Sequence, residues 1–82
     1  MQINKVDIDV RNVVGDRVEQ LRKQKGLTQK DLTIELSKKG VSISPSGLSK
    51  IEKKIRKVTD IEVVALAEAL DVSVNYLLDS NE

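Results

Sequence analysis

The sequence predicts an all-α fold: one domain of five helices, preceded by a short N-terminal arm. Apolar residues recur at spacings of three and four along most of the 82-residue chain, as they do on the buried face of a helix. Polar residues of the N-cap type stand where four of the helices are expected to begin: Thr28, Ser44, Thr59 and Ser73. Apolar residues make up 39% of the chain and include one aromatic, Tyr76, so the core must be aliphatic, which favours helices over a β-sandwich. A chain of this length has room for one hydrophobic core.

The N-terminal part of the chain divides into an arm and a first helix. Over residues 6–10 apolar residues alternate with aspartates, which is the period of a strand. Residues 1–12 are therefore interpreted as an arm that is loose, packs across the helices or pairs with a partner chain. From residue 12 the period becomes helical, with Val14, Val18 and Leu21 on one face, and Gly26 follows in the position of a left-handed helix stop. The helical domain is accordingly expected over residues 13–79.

The second and third helices have clear start signals. Thr28 and Asp31 form a capping-box pattern, so helix 2 is expected over about residues 28–39, ending before Gly40. Ser44 followed by Pro45 combines a serine N-cap with proline at the first helical position. Helix 3 is therefore expected over about residues 44–53.

The last three helices differ in the extent of their apolar faces. Helix 3 is expected to turn three residues inward: Leu48, Ile51 and Ile55. Helix 4 starts with a second capping box, Thr59 with Glu62, and it is the most apolar of the five, so it is expected at the centre of the domain. A short helix 5 begins at Ser73.

The absence of certain residue types excludes several classes of function. It contains no Cys and no His, which removes thiol nucleophiles, disulfides, imidazole bases and the common zinc sites. An enzyme is therefore not expected, and neither is a metal or any other cofactor. No apolar run approaches the roughly 18 residues of a membrane span, and the N-terminus lacks the apolar core of a signal peptide. A cytoplasmic protein without a membrane partner is expected.

The net charge of +1 hides a strongly dipolar chain. Residues 22–57 hold eleven Lys or Arg against three acids, whereas the two flanks together hold three bases against ten acids. A basic middle between acidic ends indicates one face that meets a polyanion and another that points away from it. The alternative is that the lysines only solubilise exposed helix faces, and charge alone does not decide between the two.

Four blocks of sequence, in this order, resemble the Cro and phage-repressor (XRE-type) helix-turn-helix DNA-binding family: VGDRVEQLR at 14–22, GLTQKDL at 26–32, LSKIE at 48–52 and LAEALDVS at 66–73. The resemblance covers nearly all of residues 13–78. It implies a lambda-repressor-like domain in which helices 2 and 3 form the helix-turn-helix and helix 3 enters the major groove of double-stranded DNA. It also implies that Gln29 touches a backbone phosphate, that the backbone N–H of Thr28 faces another, and that Arg22 forms a structural ion pair with Glu52.

The resemblance further implies which positions of helix 3 face the bases. The base-reading candidates are Pro45, Ser46, Gly47, Ser49 and Lys50, and because they include no Arg, Asn or Gln, modest direct readout is expected. Gly47 either lets the backbone approach a base closely or occupies a site where nothing larger is needed. The cations that follow helix 3 are the remaining phosphate candidates: Lys53, Lys54, Arg56 and Lys57.

The connection between helices 2 and 3 departs from the family pattern. From Leu36 to Glu52 the chain has roughly five residues more than the tight turn of a helix-turn-helix requires. Either helix 2 is a turn longer, or residues 39–43 bulge. In both cases the docking of the two helices on DNA is expected to be altered.

The function that the resemblance implies is sequence-specific transcriptional regulation, and a phage-like or mobile-element repressor is expected. Family members of this size usually act as two-fold dimers, for which the apolar residues of helix 5 are candidates: Val74, Tyr76 and Leu78. The alternative is an antitoxin-like or anti-repressor-like module that uses the same fold to bind another protein. The chain ends soon after helix 5, so control is expected to come from concentration, a regulatory protein partner or a separate chain.

Overall fold

The structure, a computed structural model, describes residues 12–79 and contains five α-helices within that range. They are α1 (Gly15–Gln24), α2 (Gln29–Lys38), α3 (Pro45–Glu52), α4 (Asp60–Leu70) and α5 (Val74–Leu78). The prediction of an all-α, five-helix fold is confirmed. None of these helices is long and apolar enough to cross a membrane. The predicted arm lies outside the described residues apart from Asn12, which is buried.

Four of the five helices begin at the residue that the sequence marked as a cap. The hydroxyl oxygens of Thr28 and Thr59 each accept a backbone N–H three residues on, and a carboxylate returns a bond to the cap N–H in both cases. Ser44 and Ser73 accept a backbone N–H in the same way. Because these bonds satisfy donors that a helix start leaves open, local sequence marks where these four helices begin.

Three helices end in the same way, with the first residue after the C-cap in the left-handed conformation. Gly26 and Gly40 follow α1 and α2 with φ of 72° and 82°. Lys54 follows α3 with φ of 64°, although it is not a glycine. After each helix the next N–H bonds back to a carbonyl five residues earlier, which is the Schellman pattern.

The end of α3 corrects one prediction. Ile55 was expected on the inward face of helix 3, but it is 68% exposed, so that prediction is wrong. The helical spacing that suggested it stops at Glu52, and the left-handed Lys54 turns the chain before Ile55 is reached. Periodicity assigns a face only while the helix continues.

The core is aliphatic, as the composition predicts. Within residues 12–79 it contains fourteen buried apolar residues, all Leu, Ile, Val or Ala, which come from every helix, from the start of α1 and from the α2–α3 connection: Val14, Val18, Leu21, Leu32, Leu36, Ile43, Leu48, Ile51, Val63, Ala65, Leu66, Ala67, Leu70 and Leu77. Helix α4 packs against α1, α2 and α5, in agreement with its expected central place. Helix α3 packs against α1 and α2 through one face, which leaves its opposite face outward.

Candidate nucleic-acid interface

The outer face of α3 presents small and basic side chains. Leu48 and Ile51 are completely buried on its inner face. The five residues that the sequence assigned to base reading all lie on the other sides: Pro45, Ser46 and Lys50 are exposed, and Gly47 and Ser49 are half-buried. The serine cap keeps the start of the helix tight, because the Gly47 N–H donates to the Ser44 hydroxyl at 2.9 Å. The helix can therefore approach a surface closely along its first two turns.

The connection between α2 and α3 packs onto the domain. Helix α2 ends at Lys38, and residues 39–44 join it to α3. Ile43 is buried and Val41 is half-buried against the core, while α2 and α3 still pack directly on each other. The longer connection therefore folds back onto the domain and does not separate the two helices.

An ion pair ties α3 to α1. The Arg22 guanidinium donates from Nε to one Glu52 carboxylate oxygen at 2.6 Å and from its second terminal nitrogen to the other at 3.0 Å. The two side chains are 10% and 3% exposed, so both charges are desolvated and depend on each other. The hydrogen bond to Glu52 is the main cause that raises the pKa of Arg22, against the opposing effect of burial. The structure thus brings together the pair that the resemblance implied.

The start of α2 joins the same network. The Gln29 amide nitrogen donates to Glu52 at 3.1 Å, and an amide nitrogen carries a second hydrogen that can serve another acceptor. The Thr28 backbone N–H, expected to face a phosphate, instead donates to the Asp31 carboxylate at 2.9 Å as part of the capping box. Asp31 has a lowered pKa, chiefly because it accepts that bond. Of the two phosphate candidates at this helix start, Gln29 therefore has the donor that is better placed for one.

The basic loop, defined here as residues 53–57, follows α3. Lys53 and Lys57 are exposed, and the Lys54 ammonium lies 3.4 Å from the Asp16 carboxylate at the start of α1. Arg56 is engaged differently from what the sequence suggested, because its guanidinium binds both oxygens of Glu62 at 3.0 and 2.9 Å. The loop therefore contains exposed lysines together with one arginine that is held by α4.

The Arg56–Glu62 pair is partly buried. Its side chains are 31% and 15% exposed. The hydrogen bond from Arg56 is the main cause that lowers the pKa of Glu62, and the same bond raises the pKa of Arg56. Glu62 also accepts the Thr59 N–H of its own capping box, so one carboxylate serves as a helix cap and as an anchor for the basic loop.

Asn12 is a contributor that the sequence analysis missed. Its side-chain nitrogen donates to the backbone oxygens of Ile51 and Arg56, and its side-chain oxygen accepts the N–H groups of Val14 and Gly15. Asn12 thereby serves as the cap of α1, whose N-cap residue Val14 makes no side-chain bond. The signal was a good capping residue three positions before Gly15, at a place that had been assigned to the arm.

Gly15 marks a close approach between α1 and the end of α3. A Cβ atom at this position would overlap the carbonyl oxygen of Ile51 and would lie 2.8 Å from Cγ of Lys54. Only glycine lets the start of α1 reach the start of the basic loop. The sequence block that contains Gly15 was recognised, but the reason for the glycine is visible only in the packing.

The dimer candidates lie on the short helix α5. Tyr76 and Leu78 are 45% and 44% exposed, Val74 is half-buried, and Leu77 is completely buried in the core. The Arg17 guanidinium stands 4.4 Å from the centre of the Tyr76 ring and donates to the Tyr76 carbonyl at 2.9 Å, which fixes this ring against α1.

The apolar surface continues from α5 onto α4. Ile61 and Val64 are large exposed hydrophobic residues, although they belong to α4, the helix that was expected to be the most apolar and central. Val64 and Leu78 line one open groove of about 300 Å³, together with Val58, Asp60, Val63 and Val74. A second groove of the same volume lies beside α4 and is bounded by Lys39, Val41 and Glu68, among others. Residues 12–79 contain no group of three or more acidic side chains placed to hold a metal ion.

Comparison with known proteins adds to these observations. The crystal structure of the P22 c2 repressor protein in complex with synthetic operator 9T, solved in the presence of Tl+, aligns with 83% of this chain and 96% of the repressor chain, at 28% identity and a TM-score of 0.69. The crystal structure of the clp gene regulator ClgR from C. glutamicum aligns with 90% of each chain, at 26% identity and a TM-score of 0.71. No curated protein sequence matches the chain. The helix-turn-helix family matches residues 18–77, a span that takes in the Arg22–Glu52 pair, α2, α3 and the basic loop. The resemblance found in the sequence is therefore confirmed, and the chain belongs to the helix-turn-helix family.

Proposed function

We propose that the protein is a small sequence-specific DNA-binding transcriptional regulator, with α3 lying in the major groove of double-stranded DNA. The observation that carries the proposal is the outer face of α3, which is small and basic and runs directly into the exposed lysines of the basic loop. The P22 c2 repressor, which is similar over most of the chain, is described in complex with a synthetic operator. The proposal does not include catalysis or a cofactor.

Base reading is assigned to the first two turns of α3. Ser46 and Ser49 each offer a short hydroxyl that both donates and accepts, and Gly47 adds no side chain that would hold the helix away from a base. Lys50, one turn after Ser46, is exposed and can reach the guanine acceptors O6 and N7. Because none of these groups makes the bidentate contact of Arg, Asn or Gln, part of the specificity is expected to come from DNA shape.

Phosphate binding is assigned to Gln29 and to the lysines of the basic loop. Gln29 has a second amide hydrogen beyond the one that it gives to Glu52. Lys53 and Lys57 are exposed, and within residues 12–79 the Lys54 ammonium pairs only with Asp16, through a long, exposed contact. Arg56 contributes less, because its guanidinium is bound by Glu62. Three lysine contacts correspond to a slope of log K against log salt of about −3 per domain.

A homodimer is proposed at the apolar surface shared by α4 and α5. Leu78, Val64 and Ile61 expose apolar area there, and an exposed apolar patch on a small domain often marks an interaction surface. Two copies related by a two-fold axis would place two recognition helices on half-sites about one helical turn apart. Tyr76 is 45% exposed and is a further candidate, although the Arg17 guanidinium already lies over its ring.

The decisive experiment is selection from a random duplex pool at about 150 mM salt, followed by anisotropy titration of the selected duplex and of a scrambled duplex. A palindromic duplex bound at least about 1000-fold more tightly than the scramble is the expected result. Equal, salt-sensitive binding to both would mean a basic face without sequence specificity. We propose that the protein is a cytoplasmic, phage-like repressor. Repression is tested by placing the selected site in a promoter, where expression of the protein should reduce transcription.

Paired lysine substitutions test the assignment of the basic loop. Replacing Lys53 and Lys57 by Ala is expected to weaken duplex binding about tenfold or more and to flatten the salt slope by about two. The matched control replaces Lys23 and Lys38 by Ala, which changes the net charge equally. Each of these lysines already pairs with a carboxylate on its own helix, Glu19 and Glu35, at 2.9 and 3.2 Å. Equal losses in the two double variants would contradict a specific role for the loop.

A protein-interaction module of the antitoxin or anti-repressor kind is the second candidate. One observation favours it: the groove beside α4 exposes Ile61 and Val64 and is flanked by Lys39, Asp60 and Glu68. An apolar groove with charges at its borders suits a segment of a partner protein. If no duplex is retained at low salt, this function replaces the first.

A further inference from the structure

The side chain of Asn12 joins three separate parts of the chain. Its nitrogen donates to the Ile51 carbonyl at 2.8 Å and to the Arg56 carbonyl at 3.0 Å. Its oxygen accepts the N–H of Val14 at 3.1 Å and that of Gly15 at 2.9 Å. The residue is buried. Both hydrogens and the oxygen of one amide are thus used, which no carboxylate or hydroxyl of similar size can reproduce.

Along the chain, the two carbonyls that Asn12 binds bracket residues 53–55 of the basic loop. Ile51 lies in the last turn of α3, just before the loop, and Arg56 lies near the loop's end. The same Ile51 oxygen also accepts the Lys54 N–H at 3.0 Å, at the left-handed residue where the chain turns. The path of Lys53, Lys54 and Ile55 is therefore fixed at both ends by a single amide.

We propose that Asn12 is a positioning residue for phosphate binding, which holds the basic loop in the conformation that presents its lysines to DNA. Asn12 is buried, so it acts through the two carbonyls that it binds and does not itself touch the ligand. A loop that is already ordered loses less conformational freedom when it binds, so more of its contact energy appears as affinity. This inference rests on the DNA-binding function proposed above.

The basic loop has a second attachment to the domain, so the loss of the Asn12 bonds is not expected to unfold the protein. The Arg56 guanidinium is bound to Glu62 on α4, and that bond does not involve Asn12. When the amide is removed, the loop is still attached at its far end and the aliphatic core is unchanged. The loss is therefore concentrated in the geometry of residues 53–55 and in the cap of α1.

The test compares Asn12→Asp and Asn12→Ala with the wild type. Asn12→Asp keeps an oxygen for the cap of α1 but loses both donors, whereas Asn12→Ala loses both functions. Both variants are expected to bind the wild-type-selected duplex about tenfold more weakly or worse and to show a salt slope flatter by about one, since at least one lysine contact is lost. Val18→Ala is the matched control, because it removes buried volume in α1 and touches no atom of the loop bonds.

A measurement without DNA reports the loop directly. Amide hydrogen exchange of Lys54 and Ile55, whose N–H groups bond to Ile51 and Lys50, is expected to become faster in both Asn12 variants and to follow global stability in Val18→Ala. All variants are compared at a temperature where circular dichroism shows them folded. Wild-type affinity and salt slope in a folded Asn12→Asp would overturn the proposal. Absence of duplex binding by the wild type would instead overturn the DNA-binding function, and with it any role of Asn12 in that function.

Discussion

The Glu52 carboxylate at the end of α3 accepts two hydrogen bonds from the Arg22 guanidinium on α1, one from Nε at 2.6 Å and one from a terminal nitrogen at 3.0 Å. This ion pair connects α3, whose outer face is the candidate interface, to α1, against which α3 packs. Glu52 also accepts a hydrogen bond from the Gln29 amide, so one buried carboxylate fixes the relative positions of α1, α2 and α3.

Glu52→Ala is therefore expected to lower the free energy of unfolding by about 3–5 kcal/mol, because it leaves the Arg22 charge buried without its partner. The double variant Arg22→Met with Glu52→Leu removes both charges and is expected to recover most of that loss. Urea unfolding of Arg22→Met, of Glu52→Leu and of the double variant measures the coupling. A double variant as unstable as the sum of the two singles would mean that the charges do not depend on each other.

The left-handed Lys54 predicts a conflict between stability and DNA binding. A residue with a side chain costs about 1–2 kcal/mol in this conformation relative to glycine. Glycine also gives the unfolded chain more freedom, which offsets part of this cost, so Lys54→Gly is expected to raise the free energy of unfolding by up to about 1 kcal/mol. Asp71 has φ of 60° and serves as the comparison, because aspartate tolerates this conformation better and its replacement by glycine should gain less.

The same Lys54→Gly variant is expected to bind the selected duplex more weakly, since it removes one cation from the basic loop. Strain that is retained at a functional position is a common arrangement in proteins. Thermal unfolding and anisotropy titration of one preparation check both parts. A variant that is more stable and binds equally well would show that Lys54 has no part in phosphate binding.

The helix starts could be read from the sequence because each depends on a side chain within three residues of the bond that it makes. Thr28, Ser44, Thr59 and Ser73 all cap the helices that they were expected to cap. The five-helix fold followed from these starts together with the spacing of the apolar residues.

The features that the sequence did not reveal depend on bonds and turns that spacing and charge do not show. The anchor bonds of Asn12 span 39 and 44 residues, so they could not be seen in local sequence, whereas its cap bonds to Val14 and Gly15 are local. Arg56 was assigned to phosphate on its charge, but its partner Glu62 belongs to a capping box on the next helix. Ile55 was misplaced because a lysine, and not a glycine, occupies the left-handed position that ends α3.

Gly15→Ala is expected to destabilise the protein by about 1–3 kcal/mol, through overpacking against a backbone that has little room to move. The added methyl group would meet the Ile51 carbonyl oxygen, which is itself held by Asn12 and by the Lys54 N–H. Chemical denaturation measures the loss. Little or no loss would mean that α1 shifts away from α3 at small cost, which amide exchange at Lys54 would also register.

Stability is expected to fall in acid partly through Glu62. Its pKa is lowered in the folded state from the ordinary value of 4.5, so its contribution is fully present above about pH 4.5 and is lost as the pH falls through the lower folded value. Asp31, whose pKa is also lowered, adds a loss of the same sign. Glu62→Gln removes the Glu62 part, so the difference in stability between wild type and variant should shrink below pH 4.5. A constant difference across that range would mean that the pair with Arg56 does not stabilise the ionised carboxylate.

Gly47→Ala distinguishes the two interpretations of this glycine. Its Cβ would lie 3.3 Å from both Ile43 Cγ2 and the Ser44 hydroxyl oxygen, which is tight but open to small adjustment, so the change in stability is expected to stay within about 1 kcal/mol. If the backbone of α3 approaches a base or a thymine methyl at this position, the added methyl group weakens binding of the selected duplex by about tenfold while the protein remains folded. Binding of a scrambled duplex, which depends on the lysines, should change much less. Equal affinity of Gly47→Ala and wild type for the selected duplex would show that the glycine is present only because nothing larger is needed there.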